Sequence, residues 1–134
     1  MAHDILIIDD EEDIRLLIAG VLKDEGYGTR LAANDREAEA ALNLRRPSLV
    51  ILDIWLEGSR LDGLEILKRL RQDHPDLPVV MISGHGTVES AVQAIKVGAY
   101  DFIEKPFKSD RLLLVVARAL EAAQKIAALP PEAV

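Results

Sequence analysis

The chain has 134 residues, 49% of them apolar, which fits one ordinary domain with its own hydrophobic core. It has no cysteine, which excludes a disulfide framework, a thiolate zinc site and a cysteine nucleophile, and suits a reducing cytoplasm. A net charge of −7 disfavours direct contact with nucleic acid, and no apolar run approaches the ~20 residues that span a bilayer, so a soluble cytoplasmic domain is expected.

Short β-branched runs alternate with helical patterns. Ile5-Leu6-Ile7-Ile8 is continuously apolar and reads as a strand buried on both faces. Ile14, Leu17, Ile18, Val21 and Leu22 then recur at helical spacing, and Gly26 supplies a stop. Thr29 to Ala32 is the weakest strand signal. Asn34 with Glu37 resembles a capping box opening a helix with Ala38, Ala41 and Leu42. Leu49 to Leu52 is a second buried strand, preceded by Pro47, which ends the helix before it. Asp62 can cap a helix bearing Leu64, Leu67 and Leu70.

Val79 to Ile82 forms the next strand. Thr87 can cap a helix carrying Val88, Val92 and Ile95, which Gly98 closes. Ala99 to Glu104 reads as the last strand, and Ser109 caps a final helix ending by Pro130-Pro131. This alternation implies an α/β fold with a parallel sheet covered on both faces. The common arrangement for five such strands is the flavodoxin-like order 2-1-3-4-5, with ligands at the carboxyl ends of the strands where the order reverses.

The first strand ends in Asp9-Asp10 and the third in Asp53, so three carboxylates meet at that crevice. Such crowding needs a cation, and an all-oxygen set favours a hard ion, Mg²⁺ over Zn²⁺. The bland alternative is a solvated acidic loop, Asp9 to Asp13, favouring the start of a helix. Ser83 ends the fourth strand and Lys105 the fifth. Taken singly they read as a strand-end cap and a surface lysine. Together with the carboxylates they make a phosphoryl-transfer site, with Asp53 as nucleophile and Lys105 and Ser83 binding phosphoryl oxygens.

The motifs IIDDEED, VILDIWL, MISGHGT and DFIEKPF, at these separations, resemble the receiver domain of two-component response regulators over nearly the whole chain. Within that family, DIWLEGSRLDGLEIL and SGHGTVESAVQAIKVGAYDFIEKPF are most similar to the nitrogen-regulation, NtrC-type branch. The resemblance implies that Asp53 accepts a phosphoryl group from a sensor histidine kinase, NtrY-like in this branch. It also implies that Asp10 binds Mg²⁺ directly, Asp9 through water, and Trp55 by its backbone carbonyl. Phe102 holds the place of the switch aromatic, with a buried core phenylalanine as its plainer reading. The Lys105-Pro106 bond is cis in the family.

The chain departs from the family where Glu57 replaces a frequent proline and Gly58-Ser59-Arg60 lengthens the following loop. Trp55 reads either as a gate or as an exposed aromatic. Gly84-His85-Gly86 reads as a flexible loop that lets Ser83 move, and His85 is given no chemistry.

The final helix carries Leu112, Leu113, Val115, Val116, Ala119, Leu120, Ala123 and Ile126, a wide apolar span. It suggests a homodimer through the fourth helix, last strand and final helix. The expected organisation is a receiver over 1–126 and the start of a linker over 127–134, leading to ATPase and DNA-binding domains that this chain lacks. The expected function is a phosphorylation-driven switch in a nitrogen- or redox-related transcription regulator, its only chemistry self-phosphotransfer and autodephosphorylation. A haloacid-dehalogenase-like phosphatase and a pseudo-receiver without chemistry are the competing readings. The phosphatase would need Asp-x-Asp where Asp9-Asp10-Glu11 stands.

Overall fold

A computed structural model describes residues 3–84 and 87–128. His85 and Gly86, Pro130-Pro131 with the other residues from 129 onward, and the side chain of Ile126 lie outside the described part. The chain runs β1 (Asp4–Ile8), α1 (Glu12–Asp24), β2 (Gly28–Ala32), α2 (Asp35–Leu44), β3 (Leu49–Asp53), α3 (Gly63–Asp73), β4 (Val79–Ser83), α4 (Val88–Val97), β5 (Asp101–Glu104) and α5 (Ser109–Ala128). The five strands form one parallel sheet in the order β2-β1-β3-β4-β5, as the alternation predicts.

The apolar runs explain the centre of the sheet. Every residue of β3 and β4 is buried, as are the last four of β1. Alternate residues serve opposite faces. Leu6, Ile8, Val50, Leu52, Val79 and Met81 pack with Ala38, Ile66, Leu67, Leu70 and Ala94, from α2, α3 and α4. Ile5, Ile7, Leu49, Ile51, Val80 and Ile82 pack with Ile18, Leu22, Leu112, Val116 and Ala119, from α1 and α5. Each fully buried aliphatic side chain contributes about 1.5–3 kcal/mol. The edge strands β2 and β5 are only partly covered, which explains the weak pattern of Thr29 to Ala32. No helix among the described residues is long and apolar enough to cross a membrane.

Asp62 forms a full capping box with Glu65, and Thr87 caps α4. Other local expectations change. Asn34 accepts the Glu37 N–H, but the Glu37 carboxylate reaches back to the Ala33 N–H, so only half the expected box forms. Ser109 is the first residue of α5 rather than its cap. The α4 stripe faces outward: Val88, Val92 and Ile95 are exposed, and the helix meets the core through Ala94. Leu17 is likewise exposed. In α5 the core takes Leu112, Val115, Val116, Ala119 and Leu120 and leaves Leu114 exposed, so the wide span mostly serves the fold.

Candidate functional site: an acidic cluster at the strand ends

Register places the site. Ile8 pairs with Leu52 across β1 and β3, so the chain leaves the two strands side by side at Asp9 and Asp53. Asp53 pairs with Ile82, and Ser83 with Glu104, which brings Ser83 and Lys105 to the same rim. Asp9, Asp53 and Ser83 are the buried polar residues of the described chain. Asp9 is held by the Glu11 N–H on Oδ1 at 2.9 Å, and the Arg15 guanidinium grips its backbone oxygen at 2.6 Å.

Lys105 points into the cluster. Its Nζ lies 2.9 Å from Asp9 Oδ2, 3.3 Å from Asp53 Oδ2 and 3.3 Å from Glu11 Oε1. Lys105 Nζ and Asp9 Oδ2 form an ion pair, and among the described residues that buried oxygen has no further polar partner. An acceptor so placed suits a further cation. Oxygens of Asp9, Asp10, Glu11 and Asp53 come within 4.8 Å of one another, so the donor set fits a hard divalent ion. Glu11 was not singled out in the sequence. The acidic run divides: Asp9, Asp10 and Glu11 turn into the cluster, while Glu12 and Asp13 occupy the first turn of α1 as the helix dipole favours.

Trp55 has an exposed side chain, and its backbone N–H faces Asp53 Oδ1 at 3.4 Å. Phe102 is half-buried against the α2–α3–α4 core and borders a cleft of about 610 Å³ with Thr87, Ala91 and Pro106. The Lys105-Pro106 bond is cis. Gly63 donates its N–H to Ile54 O at 2.7 Å and lies so close that a Cβ there would stand 2.1 Å from Asp53 O.

The electrostatics follow from burial. Burial pushes the Asp53 carboxyl up to about 6, the Asp9 charge adds to the rise, and Lys105 opposes it. Asp9 is also raised by burial, against Lys105 and the Glu11 N–H. Burial pulls Lys105 down, but the Asp9 and Asp53 carboxylates outweigh it and hold the ammonium above its usual range. Because Asp53 binds its proton more tightly folded than unfolded, its ionisation destabilises the fold as pH rises from 3.8 through about 6. Without Mg²⁺, urea unfolding should therefore show the wild type gaining stability relative to Asp53→Asn as pH falls from about 7.5 to about 5. Parallel pH profiles would contradict this.

The matched families now decide what the frame is. Residues 5–117 match the response regulator receiver domain. The chain belongs to that family. This receiver is 63% identical over 121 residues to the nitrogen assimilation regulatory protein NtrX of Azorhizobium caulinodans, covering 90% of this chain and 27% of that protein. Among solved structures, the receiver domain of NtrX from Brucella abortus matches with a TM-score of 0.86 and 65% identity, over 88% of this chain and 98% of that one. The beryllofluoride-activated NtrC4 receiver domain dimer matches with a TM-score of 0.83 and 38% identity, over 90% of this chain and 98% of that one. The chain spans about a quarter of the length of the curated relatives it matches. It is thus a receiver domain of the NtrX/NtrC type, a signalling domain of two-component systems. Receiver domains bind Mg²⁺ in an acidic pocket, and the carboxylate cluster of this receiver is of that kind. Response regulators take their signal from histidine kinases, and receiver domains dimerise.

Proposed function

We propose that this receiver is phosphorylated on Asp53 by a sensor histidine kinase and autodephosphorylates, using Mg²⁺ and no turnover of external substrates. The observation that carries this reading is one buried carboxylate, Asp53, flanked by Lys105 at 3.3 Å and by oxygens of Asp9, Asp10 and Glu11. In this reading an Asp53 oxygen attacks the phosphorus of the kinase phosphohistidine. A P–O bond forms, the P–N bond breaks, and its electron pair returns to the imidazole, which takes up a proton from water. Asp10, Asp53 and the Trp55 carbonyl would hold Mg²⁺ directly and Asp9 mainly through water, and the ion would supply positive charge against the crowded anionic oxygens. Lys105 pairs with one phosphoryl oxygen, and the Ser83 hydroxyl bonds another. In autodephosphorylation a water oxygen attacks the phosphorus, the P–O bond to Asp53 breaks, and inorganic phosphate leaves as the Asp53 carboxylate is restored.

Given acetyl phosphate and Mg²⁺, the chain should take up at most one phosphoryl group per molecule and release no phosphate from p-nitrophenyl phosphate. Sustained ester turnover would instead favour the phosphatase.

We propose further that drawing Ser83 toward the phosphoryl group lets Phe102 turn inward and changes the face made by α4, β5 and α5. Exposed Val88, Val92, Ile95, Tyr100 and Leu114 support a homodimer through that face. Sedimentation at high concentration should find a dimer that Val92→Glu dissociates. A strictly monomeric wild type, with and without phosphoryl group, would count against it. Residues 1–126 form the receiver in this reading, and 127–134 begin a linker to ATPase and DNA-binding domains. The output would be nitrogen- or redox-related transcription under an NtrY-like kinase; the name of the Azorhizobium relative, a nitrogen assimilation regulatory protein, supports the nitrogen reading.

A further inference from the structure

The lengthened loop between β3 and α3 is tied down at two places. Beside the site, Glu57 donates its backbone N–H to Asp10 Oδ2 at 3.3 Å. On its far side, the Ser59 hydroxyl donates to Asp35 Oδ1 at 2.9 Å and accepts the Asp35 backbone N–H at 3.0 Å. Arg60 adds its own backbone N–H to the same carboxylate oxygen at 3.3 Å. Between these ties Gly58 turns the chain at φ 76°, a backbone conformation that side chains disfavour. Leu56 is buried and anchors the loop to the core. Burial pushes the Asp35 carboxyl up, but Ser59 and the Arg60 and Arg36 N–H groups outweigh it and hold it below its usual range.

We propose that Asp35 is a positioning residue for the metal site: by holding Ser59 and Arg60, it keeps the Glu57 N–H on the Asp10 carboxylate. The proposal rests on the Mg²⁺ reading given above. Asp35 contributes no oxygen to the cluster. Its influence passes through the loop to a carboxylate that is only half-buried. A carboxylate oxygen has two lone pairs, so one N–H donor orients Asp10 and leaves sites for an ion. Outer partners of this kind typically change metal affinity by about 10–100-fold. The Arg60 guanidinium is 3.7 Å from Asp35 Oδ2 and 79% exposed, so its charge adds little. The hold lies in the hydrogen bonds on Oδ1, which asparagine can keep and alanine cannot.

The test is the Mg²⁺ dissociation constant of the full chain, from melting temperature against MgCl₂ concentration. Asp35→Ala should bind Mg²⁺ about tenfold more weakly than wild type, and Ser59→Ala should weaken it in the same direction. Asp35→Asn should restore near-wild-type affinity. The melting temperature of each variant without Mg²⁺ separates a structural role, which would lower that baseline and leave the dissociation constant unchanged. A responsive wild type with an unchanged Asp35→Ala overturns the proposal alone, as does an Asp35→Asn as weak as Asp35→Ala. A wild type that ignores Mg²⁺ overturns the metal reading and the proposal with it.

Discussion

Replacing Lys105 with methionine should destabilise the Mg²⁺-free protein by about 3 kcal/mol near neutral pH, because it strands buried carboxylates without their cation. The ammonium touches Asp9, Asp53 and Glu11 at once, and its side chain is only 10% exposed. Methionine fills similar volume, so lost packing contributes little. Two outcomes should accompany the loss in urea unfolding. Millimolar Mg²⁺ should recover much of the stability, since the ion offsets the same charges. Lowering the pH should also narrow the gap, because Asp53, raised by burial and released from the opposing effect of Lys105, then protonates and no longer needs a partner. A variant as stable as wild type in EDTA at neutral pH would mean that Lys105 does not balance the cluster.

Gly63→Ala should be about as damaging for a different reason. Its added Cβ would lie 2.1 Å from Asp53 O and 2.6 Å from Ile54 Cα, both backbone atoms in the central strand region. Neither can yield without moving the residue that heads the site. A loss of about 3 kcal/mol is expected, with a fall of about 10 °C in melting temperature. The surviving folded fraction should respond less to Mg²⁺, because the Asp53 backbone has shifted. An alanine variant with wild-type melting and metal response would show that the approach of α3 to β3 is looser than this geometry.

Much of the fold was legible because β1, β3 and β4 are covered on both faces and therefore appear as unbroken apolar runs. Asp9, Asp53, Ser83 and Lys105 were legible because topology alone puts strand ends together. The orientation of α4 was not. Val88, Val92 and Ile95 form an apolar stripe at helical spacing, but periodicity cannot say whether the stripe faces sheet or solvent, and the smaller Ala94 makes the buried contact. Glu11 was hidden inside an acidic run whose division depends on where α1 begins. The tie from Asp35 to Ser59 and Arg60 joins distant residues across a loop and leaves no periodic trace. The resemblance implied a longer loop than most receivers have, but not what held it.

Every step proposed for the site depends on Asp53 being the phospho-acceptor. Intact mass after incubation with acetyl phosphate and Mg²⁺, comparing wild type with Asp53→Asn, tests it most directly. One added phosphoryl group is expected on the wild type, absent when Mg²⁺ is chelated and absent from the variant. An equal adduct on folded Asp53→Asn, or none on folded wild type under the same conditions, would contradict it.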